Sequence, residues 1–538
     1  MTREIRLLGA SSVSACIELV NEYVVFGSCE YTVFLNGVDI GIRSSQNIIS
    51  LFHLTPDTEY VLKVVQDDGD IHHLDFKTKP ESIAISIMDF FPHADGVALD
   101  TKAFQAAIDV CPQGGRIIVP FGKYLISPIV LKSDITLDIQ EGATIIGSTY
   151  KEDYAVLPGQ VVDHKYRATL DVDTVLKHDS DAVIDEDGEE ELLIWDNCLQ
   201  ISSWQGAPKS SYQSLISAYN CKNVSIVGKG TIDGNAVNSV WYIDTKNRKT
   251  AKPRLVFLND CDNVLIHGIN LKDSPSWVVH PFFCKNVSIL DSKLSVPKDS
   301  PNTDGINPES CDGVHIVGCE ISASEECIGI KSGKYDMAMR YKTPCQNINI
   351  RNCTLSSGTS AVVLGSELSA GIFNLTVSQS LFKATKSGIS INTRRGRGHL
   401  AKIQGLIFNN IIMLDVHTPF VINSFYNNDP DGHSEYVQSR NPKIVDYRTP
   451  YIGRINFSNI VCKGVQHACA FLYGLPEAPI EEVKFENVHF SVAVDAKKGM
   501  PAMMDGLEEC SRRGIIQQNV KNIVQNGVIF DGIDGHDY

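Results

Sequence analysis

Three acidic side chains fall on two neighbouring stretches of the chain: Asp304 in Asn302-Thr303-Asp304-Gly305, and Glu325 and Glu326 in a run that continues to Ile330-Lys331-Ser332-Gly333. Asp304 and Glu325 stand roughly 21 residues apart, close to one turn of a coiled β-structure, and such a coil stacks them on one surface. Carboxylates crowded in this way repel one another, which raises at least one pKa and keeps that group protonated near neutrality. A protonated acid beside ionised partners is the arrangement that cleavage of a glycosidic bond needs, with a proton for the leaving oxygen and a base for water. Taken alone, Glu325-Glu326 also reads as a pair of solvent-facing turn residues.

A coil is what the rest of the sequence predicts. CKNVSIVGKGTIDG at 221, CDNVLIHGINLKDS at 261, CKNVSILDSKLSV at 284, CDGVHIVGCEISA at 311 and CQNINIRNCTLSSG at 345 are versions of one unit, and similar units start near 372, 403, 452, 480 and 520. Each is two short strands around an Asn or Gly turn, at spacings of roughly 23–40 residues, the mark of a solenoid rather than a closed barrel. The expected fold is all-β: a right-handed parallel β-helix over residues 81–538, preceded by a small β-sandwich over 1–80. In that sandwich Leu54-Thr55-Pro56-Asp57-Thr58-Glu59-Tyr60 is similar to the tyrosine corner of fibronectin type III domains. Ile83 to Phe91 reads as a strand, and Leu99 to Ile108 as an amphipathic helix that plugs the open end of the coil. Cys311, Cys319 and Cys327 recur every eighth residue without His or carboxylate companions, which favours thiols stacked inside the coil over a metal site. The acid-rich stretch from Val161 to Glu191 reads as a solvated excursion.

Composition narrows the function. With 48 Lys and Arg against 64 Asp and Glu, the formal charge of −16 repels polyanions and argues against nucleic acid as a partner. No apolar stretch reaches the length of a membrane span, and the start lacks a basic segment followed by an apolar run, so a cytoplasmic location without membrane partners is expected. Fifteen cysteines without a C-x-x-C pair suggest buried thiols rather than a disulfide framework. Oligomeric state leaves no mark in the sequence.

The chain resembles the polygalacturonases of glycoside hydrolase family 28, above all bacterial exo-acting members with a fibronectin-like N-terminal domain. The resemblance rests on Asp273-Ser274-Pro275-Ser276-Trp277 with His280-Pro281, Asn302-Thr303-Asp304-Gly305, Ile330-Lys331-Ser332-Gly333, Gly365-Ser366-Glu367, Arg394-Arg395-Gly396-Arg397-Gly398 and Asp429-Pro430-Asp431-Gly432. It implies inverting hydrolysis of α-linked galacturonides on a parallel β-helix, with an oligosaccharide as substrate and no metal or organic cofactor. By the same resemblance Asp304 helps activate water, Glu325 takes the place of the general acid, and Glu326 acts with Asp304 as base. Asn302, Lys331, Arg394, Arg395, Arg397, Tyr426, His280 and Trp277 take substrate-binding places, with at least one arginine expected to face the groove.

Several positions depart from the family pattern. Glu325-Glu326 stand where Asp-Asp is usual, so both acids are one methylene longer. Thr359 replaces the histidine of a Gly-His-Gly run, and Ser390 and Asn392 replace the two cations of an Arg-Ile-Lys run. Hydroxyl and amide groups suit a neutral sugar better than a carboxylate, which prefers charge-assisted partners. The expected function is therefore an exo-acting hydrolase of pectin-related oligosaccharides with altered specificity. The alternatives are a relative that binds carbohydrate without turnover and, behind it, a lyase or glycosyl transfer reaction on the same scaffold.

Overall fold

The computed structural model describes residues 4–162, 198–243 and 250–537. The acidic stretch expected as a surface excursion lies, from residue 163 onward, outside the described residues. At the N-terminus two antiparallel sheets face each other. One has three strands, Ile5–Ala10, Ala15–Leu19 and Ile48–Leu51, and the other four, Val38–Gln46, Phe26–Leu35, Glu59–Gln66 and Ile71–Lys77. Alternation of inward and outward residues in Glu59–Gln66 sends Tyr60, Leu62 and Val64 into one small core. The Tyr60 hydroxyl accepts the Thr55 N–H at 2.8 Å, tying the strand to the corner before it.

From Ala84 the chain winds into a right-handed parallel β-helix whose rungs pair residue for residue. Val224, Val264, Val287, Val314 and Ile348 occupy equivalent places on successive coils, and so do Ile226, Ile266, Ile289, Ile316 and Ile350. Isoleucine and valine suit these places because branched side chains pack well on a pleated surface and stack on their own kind in the next rung. Cys221, Cys261, Cys284, Cys311 and Cys345 form a column of buried thiols, each set against a carbonyl of the rung before, from Leu131, Ala218, Leu258, Pro281 and Pro308 in turn. Cys319 and Cys353 form a second column and Cys327 stands apart from both, so the eight-residue spacing sends three thiols to three different places in the core.

Thr101–Val110 is the helix at the open end, burying Ala103, Phe104, Ala107 and Ile108. The strand expected from Ile83 is shorter than its apolar run: it stops at Ser86 and turns into a single 3-10 turn, Ile87–Phe90. The reason is local, since Ser86 accepts the Met88 N–H while Asp89 accepts the Ser86 N–H, a reciprocal cap that competes with extended pairing. Among the described residues no helix is long and apolar enough to cross a membrane.

The sandwich is clamped to the coil by one buried carboxylate. Glu18 accepts from Arg351 Nε and Nη2 at 2.8 Å, from Arg6 Nε at 2.7 Å and from Asn352 Nδ2 at 2.8 Å. Nearby, a side chain at Gly268, whose φ is +79°, would collide with Phe52 of the sandwich, so glycine permits the close contact. Burial works to raise the Glu18 pKa, but Arg351 and Arg6 outweigh it and hold it below the usual glutamate range. A lowered carboxylate contributes stability above its unfolded pKa and loses it as pH falls through its folded one. Glu18→Ala is expected to cost about 3 kcal/mol at neutral pH, read by denaturant unfolding, with the deficit shrinking below pH 4. A midpoint equal to the parent's at pH 7 would show that the clamp contributes nothing.

Candidate active site

The coil presents one sheet whose outer face carries the polar residues. Strand Glu326–Ile330 pairs in parallel with Ser360–Gly365, then Ser387–Asn392, then Thr418–Asn423, and single bridges extend the face backward through Ile306 to Val279. Period-two alternation sends Ile328, Val362, Ile389 and Phe420 inward, while Gly329, Val363, Ser390 and Val421 form the adjacent ladder on the opposite face. Gly329 leaves room for the acids: a Cβ there would crowd Glu326 Oε2 at 3.3 Å, Asn307 Oδ1 at 3.2 Å and Lys331 Cε at 3.3 Å.

The acids converge on Lys331, whose ammonium lies 3.3 Å from Glu367, 3.4 Å from Glu326 and 3.9 Å from Asp304. It is buried, and although burial opposes its charge, Glu326, Glu367, Asp304 and Glu309 together hold its pKa well above the usual lysine value. Asp304 is 1% exposed. Its Oδ2 accepts Asn307 Nδ2 at 2.7 Å, while Oδ1 has no hydrogen-bond partner among the described residues. Burial first, and Glu326 second, push the Asp304 pKa well up. Glu325 reaches the same cluster from the rung corner, where its Oε1 accepts the backbone N–H of Asn302 at 3.2 Å, and burial followed by Glu326 raises its pKa too. Asn302 holds the turn with φ +58°, a left-handed conformation that asparagine adopts more readily than most residues. Glu367 goes the other way: burial pulls it up, but Lys331 and Lys334 hold it below the ordinary range. The site therefore combines carboxyls whose pKa is pushed up with one whose pKa is held down around a fixed cation, the pairing of unlike acids that general acid and base chemistry uses.

The remaining residues singled out from sequence are placed as follows. Trp277 is buried against the cluster, with Lys331 Nζ 5.0 Å from its ring centre. Thr359 donates its backbone N–H to the Glu325 carbonyl at 2.8 Å, and Ser390 shares hydrogen bonds with Ser387 at 2.8 Å and Ser360 at 3.4 Å. Asn392 pairs in register with Gly365 and Asn423 on the same face. Tyr426 is half-buried, and burial with Glu326 and Glu367 nearby pushes its phenol up to about 12. Arg394 and Arg397 converge on Asp429, at 2.7 and 2.6 Å, joined by Lys334 at 3.0 Å, while Arg394 also reaches Asp431 at 2.7 Å.

Two of these residues do not line the groove. Arg395 is 1% exposed and its guanidinium is taken up by Glu477 at 2.6 Å and by the carbonyls of Tyr436, Val437 and Ser439, so it fixes a loop instead of meeting substrate. His280 is fully buried, its Nε2 lies 3.0 Å from Glu309, and burial keeps its pKa well below the usual value, so it acts as a neutral support behind the site. Sequence reasoning missed Glu309 and Glu367. Burial, with Glu367 adding to it, pushes the Glu309 carboxyl up to about 7. Glu367 stands in Gly365-Ser366-Glu367, a run that carries the family likeness, and that was the available signal; Glu309 follows Asp304 by five residues on the same stretch.

The profile of glycosyl hydrolases family 28 matches residues 195–469, a span that holds the whole cluster. A probable polygalacturonase of Vitis vinifera is 29% identical over 77% of this chain and 75% of its own length. The family 28 exopolygalacturonase of Yersinia enterocolitica superposes with a TM-score of 0.68 at 16% identity, covering 99% of this chain and 98% of that one. The hyperthermoactive exopolygalacturonase of Thermotoga maritima gives 0.62 at 21% identity, over 82% and 92%. The profile match ends at residue 469, beyond Asp429, so both the carboxylates on Lys331 and the arginines on Asp429 lie within shared sequence, and the chain belongs to glycosyl hydrolases family 28.

Proposed function

We propose that this glycoside hydrolase cleaves α-glycosidic bonds of pectin-related oligosaccharides by inversion, from the chain end, with a neutral sugar at one subsite. The observation that carries the chemistry is the arrangement of Asp304, Glu326 and Glu367 on Lys331, with Glu325 raised beside them. Glu325, whose pKa burial and Glu326 push up, donates to the leaving oxygen. Asp304 and Glu326 share the base role, and Asp304 Oδ1, which has no hydrogen-bond partner among the described residues, takes a proton from the attacking water. The proton given by Glu325 ends on the released sugar, and the water's proton ends on the base, so one exchange with solvent resets the pair.

The specificity follows from charge. Ser390 and Asn392 supply hydroxyl and amide groups on the groove face, and Arg394, Arg397 and Lys334 are each already in an ion pair with Asp429, Arg394 with Asp431 as well. A uronate would have to compete with these internal carboxylates, whereas a neutral ring needs only hydrogen bonds. The loop carrying Met503 and Asp505 packs beside Tyr426 through Asn423 and Asn427 at 2.8 and 2.7 Å, in keeping with an exo-acting site closed at one end by loops. The names of the Yersinia and Thermotoga relatives agree with it. The free buried thiols support work in a reducing compartment such as the cytoplasm.

Chromatography with reducing-end detection on oligogalacturonides, rhamnogalacturonan fragments and neutral plant oligosaccharides tests this reading. Glu325→Gln is expected to reduce kcat by about 10²–10⁴-fold with binding retained. It should also remove the alkaline limb of the pH profile, because a carboxyl with a raised pKa limits the rate once pH rises past it. A second reading, binding without turnover, is favoured by Thr359, Ser390 and Asn392. It predicts no products from the parent chain on any substrate, with groove binding intact.

A further inference from the structure

The hairpin formed by Ser203–Trp204 and Ala207–Pro208 stands at the edge of the acid cluster and takes no part in the steps above. It is anchored at every residue of its near side. Ser203 Oγ donates to Glu309 Oε2 at 3.1 Å, the same oxygen that lies 3.0 Å from His280 Nε2. The Ser203 carbonyl accepts from Arg254, a buried guanidinium whose centre lies 5.4 Å from the rings of both Trp204 and Trp277. At the tip, Gln205 and Gly206 have φ of +51° and +75°, and the Gly206 carbonyl accepts the Lys334 N–H at 2.8 Å. A Cβ at Gly206 would meet Glu367 Cγ at 2.7 Å, so the tip packs directly on one of the carboxylates that hold Lys331.

These anchors place one aromatic ring. Trp204 stacks on Trp277 with ring centres 5.6 Å apart and planes 15° from parallel, and Trp277 carries Lys331 on its ring. Lys331, Trp277 and Trp204 therefore form one stack leading from the acids outward. Trp277 is buried, whereas Trp204 keeps part of its surface in solvent, with the exposed amide of Gln205 beside it. A partly exposed indole, fixed by its neighbours at the rim of a polar groove, offers a flat apolar surface at little entropic cost on binding.

We propose that Trp204 is the stacking platform of a sugar subsite on the Glu367 side of the acids, taking the apolar C–H face of a pyranose ring, with Gln205 able to meet its hydroxyls. Glu309 and His280 are positioning residues for this platform through Ser203. The inference rests on the saccharide reading above and adds the subsite and the residue that makes it.

The test is calorimetric titration of the same oligogalacturonides and rhamnogalacturonan fragments into the Asp304→Asn chain, with and without a change at Trp204. Trp204→Ala is expected to weaken Kd about tenfold, equivalent to about 1.4 kcal/mol, and Trp204→Phe, which keeps a stacking ring, to stay within about threefold of the parent. Circular dichroism and the unfolding midpoint identify a misfolded alanine variant, and the comparison then rests on phenylalanine against leucine at the same position. Unchanged affinity with alanine or leucine at 204 in a folded chain overturns the platform and leaves the saccharide reading standing. Failure of the Asp304→Asn chain with native Trp204 to bind any of the sugars overturns that reading, and the platform with it.

Discussion

Asp304→Asn is expected to lower kcat by about 10³-fold while leaving affinity for oligosaccharide and the unfolding midpoint close to the parent's. The substitution is isosteric, and the amide oxygen can still accept from Asn307 Nδ2, so the local hydrogen bond survives. What disappears is the ability of Oδ1 to take a proton, on a buried carboxyl whose Oδ1 has no hydrogen-bond partner among the described residues. Fold stability is spared because Asp304 ionises at a cost: burial and Glu326 both oppose its charge. Removing a strained charge does not weaken the site that strained it. Initial rates and calorimetric binding on the same preparation separate the two effects, and a kcat within threefold of the parent would remove Asp304 from the chemistry altogether.

The second large effect concerns stability. Lys331→Met removes the cation that lies within 3.9 Å of three carboxylates, two of which, Asp304 and Glu367, are buried. Leaving buried charges without their partner costs about 3–5 kcal/mol, part of which the acids can recover by binding protons. The Asp304 pKa, already raised, then rises further, Glu367 loses the cation that holds its pKa down, and a carboxyl raised on folding penalises the folded state increasingly as pH climbs between its unfolded and folded values. The deficit of the variant should therefore be largest above neutrality and smallest near pH 4. Denaturant midpoints measured across that range check the sign. A deficit that grows on acidification would show that Lys331 is not what balances Asp304, Glu326 and Glu367.

The sequence made the acids readable because Asp304, Glu325 and Glu326 lie within one turn of a repeat whose period was itself visible in the Cys-x-Asn-Val units. The coil was legible for the same reason: stacking demands the same side-chain class at the same place in every rung. Partners brought in from distant rungs were not legible. Arg395 has the charge expected of a substrate ligand, but its carboxylate partner, Glu477, arrives 82 residues later on a different loop. Ser203 meets Glu309 across 106 residues, so no local pattern linked the hairpin of Trp204 to the acids. His280 stood in a shared motif, and only its complete burial shows that it supports the site from behind. The strand from Ile83 was overextended because an apolar run is blind to the cap that Ser86 and Asp89 make.

The column of stacked thiols has a consequence for how the chain finds its thread. Cys261, Cys284, Cys311 and Cys345 are interchangeable, and so are the valines and isoleucines that accompany them; a slip by one whole rung would lay like upon like. The interior that supplies most of the cohesion thus carries no address. Addresses come from pairs that occur once, such as Glu18 with Arg351 across 333 residues, Arg395 with Glu477, and Lys331 among its acids. A chain threaded one rung out of place would bury each of these charges alone, and that penalty is what separates the correct winding from its near copies.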